Sequence, residues 1–160
     1  VTLAEKILTA PELVDPWPHG IIDQFLPLEP FAELVGSLPS WTTGQKTKNL
    51  PTSVLELLND SAVNDAIRQR FGFTGGKPVI ELTYRTLGVG GHSDRVDKLW
   101  SGIIYVAGDP VGTELYGKDY RLAKTVEFKP NRMLCWGRRG EQHAVPKSNG
   151  RFAIQWWILK

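Results

Sequence analysis

The spacing of apolar positions changes character part-way along the chain. Up to about Phe71 the periodicity is helical, and after Lys77 it is that of strands. From Leu28 to Leu38, the apolar residues Phe31, Leu34, Val35 and Leu38 line one face of a helix. Leu50 to Leu58 predicts a second helix, with Pro51 near its start and Asn49 or Thr52 as the cap. Ser61 to Phe71 predicts a third, with Ala62, Ala66 and Phe71 facing inward and Ser61 as the cap. Gly72 to Gly76 ends helical structure, because glycine takes the left-handed conformation at which helices stop. Val14 to Gly20 is too rich in proline for a helix. Ile21, Ile22 and Phe25 predict a short strand before a turn.

Beyond Lys77 the pattern predicts seven short strands: Val79 to Thr86, Leu99 to Val106, Thr113 to Tyr116, Lys124 to Phe128, Arg132 to Trp136, Gln142 to Val145, and Phe152 to Leu159. Short strands separated by glycine and proline indicate a sandwich or barrel. Helices placed before the strands would brace one of its faces. A double-sheet jelly roll is the economical arrangement, because it manages strand edges within a small chain. The reading is therefore one domain over residues 1–160, mainly β with N-terminal helices. Residues 1–76 are its mainly helical part and 77–160 its jelly-roll core.

Composition narrows the class. With 160 residues, 41% hydrophobic and 22% charged, the chain is long enough for a core of its own and is not disordered, collagen-like or a coiled coil. The 19 Lys and Arg nearly balance 17 Asp and Glu, so nucleic-acid binding is not expected. No charge run suggests a membrane anchor, and no apolar run is long enough to span a bilayer. Val1 to Ala10 does not read as a leader, although the sequence does not begin with Met. A cytoplasmic location is the expectation. The single cysteine, Cys135, excludes an internal disulfide and a four-cysteine zinc site. Nothing in the sequence points to an oligomeric state.

Two of the three histidines carry a chemical suggestion. His92 lies in Gly91-His92-Ser93-Asp94, and residues two apart on an extended segment point to the same side. His143 lies on a later strand. Two imidazoles and a carboxylate can hold one face of an octahedral metal and leave the other open, as in non-haem Fe(II) oxygenases. The bland alternative for His92 is a hydrogen-bonded surface loop. Arg151 opens the last strand, and the turn from Pro146 to Gly150 would set it on a strand neighbouring that of His143. A guanidinium inside an apolar barrel needs an anionic partner, and its planar fork suits a carboxylate. The alternative is an ordinary surface residue after a turn.

Taken together, these segments resemble a known family. GGHSDRVDKLWSGIIYVAG and EQHAVPKSNGRFAIQWWIL resemble the two metal motifs of Fe(II)- and 2-oxoglutarate-dependent oxygenases of the prolyl-4-hydroxylase-like, bacterial type. GTELYG and FKPNRMLCW resemble the family's central strands, and DPWPHGIIDQFLP its opening. The resemblance implies a double-stranded β-helix, the cupin-like form of the jelly roll. It implies Fe(II) on His92, Asp94 and His143, and Arg151 on the distal carboxylate of 2-oxoglutarate. Tyr84, Tyr105 and Trp157 match positions that contact the cosubstrate or floor the pocket; plain core packing is the alternative for each. Trp156 and Trp157 are adjacent on a strand and must face opposite sides, so only one can line the pocket. The implied activity is hydroxylation of a C–H bond with O2, converting 2-oxoglutarate to succinate and CO2, with ascorbate as a helper. The substrate would be a peptide side chain, prolyl among them, or a small metabolite. The presence of Asp94 favours hydroxylation or another oxidation over halogenation, since related halogenases lack the carboxylate.

Other residues have simpler readings. His19 is assigned a structural role and Cys135 that of a small buried hydrophobe; Lys98 lies close enough to the metal motif to reach the pocket mouth, with a solvated or edge charge as the default reading. Arg138, Arg139 and Lys147 form a basic cluster read as surface solubility. Gly88, Gly90 and Gly91 read as a flexible turn. Ser93, Glu141 and Gln142 are candidates to orient the histidines. Two other functions compete: a cupin-type metal enzyme that does not use 2-oxoglutarate, and a non-catalytic jelly-roll binding module. Cupin sites commonly use more histidines than this chain has.

Overall fold

The computed structural model describes residues 1–42, 44–137 and 142–160. The chain order is α1 (Leu3–Thr9), β1 (Gly20–Ile22), α2 (Leu28–Gly36), β2 (Lys46–Thr47), α3 (Thr52–Asn59), α4 (Ser61–Phe71), β3 (Lys77–Arg85), β4 (Val89–His92), β5 (Lys98–Gly108), β6 (Thr113–Tyr116), β7 (Leu122–Val126), β8 (Met133–Gly137), β9 (Gln142–Val145) and β10 (Arg151–Leu159). The strands form a six-stranded sheet in the order β1-β8-β5-β10-β3-β2 and a four-stranded sheet in the order β4-β9-β6-β7. Every pairing is antiparallel. This is a jelly roll.

The three expected helices form as α2, α3 and α4, but their caps differ from the sequence reading. Asp60, not Ser61, caps α4: its carboxylate accepts from the backbone N–H groups of Ala62 and Val63. A carboxylate also suits the positive end of the helix dipole. Pro51 occupies the cap position of α3 and no side chain bonds there, so neither Asn49 nor Thr52 has that role. Helix α1 was not legible in the apolar pattern, yet its start was written locally. Thr2 and Glu5 form a reciprocal capping box. Gly72 ends α4 with φ of 68°, as its glycine suggests.

The strand reading needs two corrections. Gly90 and Gly91 belong to strand β4 and not to a flexible turn. The first 76 residues also supply both edges of the large sheet, since β1 pairs β8 and β2 pairs β3. Two residues of β2 were too few to show a periodicity.

Strict alternation along the large sheet separates two apolar layers. Trp100, Ile104, Met133, Cys135, Ile154, Trp156 and Ile158 pack with the helices. Ile103, Tyr105, Leu134, Trp136 and Ala153 face the small sheet. The helix-side layer is tightly fitted. The Trp100 and Trp156 rings meet edge to face at 4.9 Å. The Trp100 ring lies over Gly102, where a Cβ would come within 2.5 Å of it. Any side chain at Gly102 would therefore displace the indole.

Candidate metal centre

The centre is built between the two sheets. His92 ends β4 and His143 lies on β9, and antiparallel pairing sets them directly opposite each other. Opposed residues of such a pair project to the same face. Their ring centroids lie 4.4 Å apart. Asp94 follows β4 in the loop to β5. One ligand atom from each of His92, Asp94 and His143 lies within 4.8 Å of the others. His143 is buried and His92 exposed, so the cluster is closed at its base and open at its mouth.

Neighbouring groups fix each candidate ligand. The Nδ1 of His92 lies 2.9 Å from the Gly90 carbonyl oxygen. That contact sets Nδ1 as the protonated nitrogen and leaves the Nε2 lone pair for a ligand. The Trp136 ring packs against His143 with centroids 4.6 Å apart. Asp94 is tied to the large sheet: its Oδ2 accepts from Ser101 Oγ at 2.6 Å and from Trp136 Nε1 at 2.9 Å. Its Oδ1 accepts from Lys98 Nζ at 2.9 Å. Burial alone would raise the carboxyl pKa, but the Ser101 and Lys98 bonds, with the Lys98 charge, hold it below the ordinary value. Asp94 is thus kept as an anion. Lys98 is a correction to the edge-charge reading: it turns inward and lies 4.4 Å above the Trp157 ring. None of Asp94's three donors was anticipated as its partner. Glu141, Arg138 and Arg139 lie outside the described residues.

The cleft that contains the triad is also lined by Arg85, Val89, Lys98, Ile103, Gln155 and Trp157. Trp157 is therefore a cleft residue, while Trp156 is sealed on the helix side, as their adjacency required. Arg85 and Gln155 were not singled out in the sequence. The available signal was their parity: both alternate with residues of the helix-side layer.

Three residues implied by the resemblance are not among those that line this cleft. Tyr84 is turned to the other face of β3. Its ring packs on Phe152 at 4.7 Å, and its hydroxyl occupies the space where a Cβ of Gly150 would stand. Adjacent residues of a strand face opposite ways, so Arg85 occupies the cleft side and Tyr84 cannot. Tyr105 is buried between the sheets, stacked on Phe128, and its hydroxyl donates to Thr113 Oγ1 at 2.7 Å. Arg151 is buried and faces the same interior. Its Nη1 donates to the Val111 and Gly112 carbonyls, and its guanidinium lies 5.4 Å from the Tyr105 ring centroid. Among the described residues its buried Nη2 has no hydrogen-bond partner. Burial pushes its pKa down, the nearby Tyr105 opposes this, and the charge of Arg85 adds to the lowering. Arg151 and His143 are not on paired strands as expected, because the turn between them crosses from the small sheet to the large one.

The donor set suits Fe(II). Two imidazole nitrogens and one ionised carboxylate converge, and such ligands suit iron while leaving positions open. The thiol does not compete: Cys135 is on the helix side of β8, and burial pushes its pKa up to about 12. His19 is structural, as the sequence suggested, buried with Nδ1 against the Trp17 carbonyl at 2.7 Å. Among the described residues no helix is long and apolar enough to cross a membrane.

No protein-family model matches the sequence, and no curated protein matches it. Solved structures do match the fold. A Pseudomonas putida prolyl-4-hydroxylase superposes with a TM-score of 0.71 over 99% of both chains at 14% identity. A Phytophthora capsici prolyl 4-hydroxylase gives 0.76 at 14% identity, over 98% of this chain and 64% of that one. A Trichoplax adhaerens prolyl hydroxylase, in complex with a peptide fragment of a hypoxia inducible factor, gives 0.60 at 18% identity, over 98% and 89%. The chain therefore shares the jelly-roll fold of the prolyl hydroxylases.

Proposed function

We propose that residues 1–160 form one Fe(II)- and 2-oxoglutarate-dependent oxygenase domain that hydroxylates a C–H bond. The single observation that carries the reading is the convergence of His92, Asp94 and His143 within 4.8 Å at the mouth of a jelly-roll cleft. The buried, half-satisfied Arg151 supports it, because an unpaired guanidinium in that interior calls for an anion. Prolyl hydroxylases among the fold neighbours, and the peptide bound to one of them, favour a peptide side chain such as prolyl as substrate; a small metabolite uses the same chemistry.

Each residue has a definite task in this reading. His92 and His143 present imidazole nitrogens, His92 with its tautomer fixed by the Gly90 carbonyl. Asp94 supplies the anionic ligand, held ionised and oriented by Ser101, Lys98 and Trp136. Arg151, backed by Tyr105, would hold the far carboxylate of 2-oxoglutarate. Trp136 and Trp157 wall the cleft and restrict water around the reacting atoms. When bound, the iron and 2-oxoglutarate supply the oxidising power drawn from O2, with succinate and CO2 as by-products. The protein fixes the ligands, orients the substrate and excludes side reactions.

The test is anaerobic addition of Fe(II) and then 2-oxoglutarate to the purified protein. A weak visible charge-transfer band should appear, vanish with His92→Ala and weaken with Arg151→Ala. Oxygen with ascorbate should then release succinate. Folded, iron-loaded protein that gives no band would overturn the reading in favour of a metal enzyme that does not use 2-oxoglutarate.

A further inference from the structure

The cleft carries more positive charge than the proposed metal chemistry uses. Among the described residues its lining has one carboxylate, Asp94, and two cationic side chains, Lys98 and Arg85. Lys98 is paired with Asp94 at 2.9 Å. Arg85, half-buried at the end of β3, has no such counterpart: among the described residues no carboxylate forms an ion pair with it. Glu81, on the same face of β3, pairs with Lys46 at 3.5 Å. The direct register partner of Arg85 is Arg151, a second cation, and like charges opposite each other repel. In the reading above Arg151 meets the cosubstrate, and no task falls to Arg85.

Another cation stands at the same end of the cleft. The loop after Arg85 runs against the loop between β9 and β10. There the Ser148 N–H donates to the Thr86 carbonyl, and Ser148 Oγ donates to the Arg85 carbonyl. A Cβ on Gly88 would come within 3.1 Å of the Lys147 backbone nitrogen. Lys147 is exposed and also forms no ion pair among the described residues. Val89 and Val145, opposed across β4 and β9, both line the cleft. Apolar walls of this kind reduce the screening of a charge that enters between them.

Resting on the oxygenase reading, we propose that the substrate carries a carboxylate beside its reacting carbon and that Arg85 is the specificity-determining residue that receives it. The planar guanidinium offers a charge-assisted fork, and Lys147 adds positive field at the lip. The same chemistry is presented by Asp or Glu next to the reacting residue of a peptide and by the free carboxylate of an amino acid. Neutral and basic substrates leave Arg85 without a counter-charge and are disfavoured.

The experiment titrates two probe sets, without oxygen, into protein loaded with Fe(II) and 2-oxoglutarate, with the heat of binding as readout. One set is the blocked peptide Ala-Pro-Glu-Ala with its Gln and Lys counterparts. The other is L-proline with L-prolinamide. In one set the acid should bind about ten- to a hundredfold more tightly than its amide, the weight of one charged hydrogen-bonded contact, and which set does so identifies the source of the carboxylate. Arg85→Ala should erase the preference, and Arg85→Glu should reverse it. The affinity for 2-oxoglutarate, followed by the charge-transfer band, should move far less. Equal binding of acid and amide, binding of no probe, or a preference that survives Arg85→Ala would overturn the proposal. So would a loss of 2-oxoglutarate affinity in Arg85→Ala as large as the loss of preference, which would assign Arg85 to the cosubstrate. Wild-type protein that binds Fe(II) and not 2-oxoglutarate would instead sink the oxygenase reading.

Discussion

The two faces of the six-stranded sheet are made by the same strands and do opposite work. On the helix side, Trp100, Ile104, Ile154, Trp156 and Ile158 close a dry layer. On the other side, Ser101, Ile103, Gln155 and Trp157 stand one position away from these and, with Arg85 of β3, line the cleft. The period of two allows this separation. Stability is concentrated where burial is complete, and polar chemistry lies where the small sheet leaves a mouth open. The interior is not uniformly polar: Tyr105, Phe128 and Ala153 seal it near Arg151. The guanidinium there is consequently desolvated, and its charge matters more.

The separation can be broken or sharpened by measurement. The largest effect should come from His143→Ala, which removes one of the three proposed metal ligands and should abolish stoichiometric Fe(II) binding in an anaerobic titration. The separation fails if it costs the metal-free protein more stability than a change on the helix side does. The reference for that side is Trp156→Ala. It removes a fully buried indole and should destabilise by about 3–5 kcal/mol in urea unfolding, with iron affinity unchanged in the folded fraction. A parallel loss of iron affinity would show that the two faces are coupled.

A smaller effect is expected from Ser101→Ala, which removes one donor to Asp94. Partners that orient metal ligands commonly contribute about ten- to a hundredfold in metal affinity. An unchanged Fe(II) affinity would leave Trp136 and Lys98 as sufficient to hold the carboxylate. The smallest effect concerns His19, whose pKa is lowered chiefly by burial, against the Trp17 carbonyl bond. The unfolded chain then binds a proton more readily than the folded one between the two pKa values. Stability should rise with pH across that window and be lost as pH falls below about 6.5, the unperturbed histidine value. His19→Gln should flatten this slope in melting curves of the metal-free protein, and an unaltered slope would assign it to other groups.

Much of the centre was legible because its signals are local. Gly91-His92-Ser93-Asp94 and the later His143 are short patterns of ligand chemistry, and one cross-strand register brings them together. The bond from Lys98 to Asp94 and the cleft position of Arg85 were not legible in the same way. A lysine at a strand start looks solvated in sequence. Only the fold of the loop after β4 sets Asp94 within reach of it. Tyr84 shows the opposite failure: the resemblance implied a cosubstrate contact, while the pleat of β3 turns its ring onto Phe152.

By itself the sequence determined the class of fold and the donor chemistry. Period-3.6 and period-2 patterns, helix-ending glycine and two histidines with a carboxylate are properties of short stretches of chain. The tertiary structure decided which sheet each strand joins, how β1 and β2 close the edges, what holds Asp94, and that Arg85 opposes Arg151. Those outcomes depend on pairing between residues distant in the chain. Such pairing is set by the packing of complete sheets and leaves no trace in local periodicity.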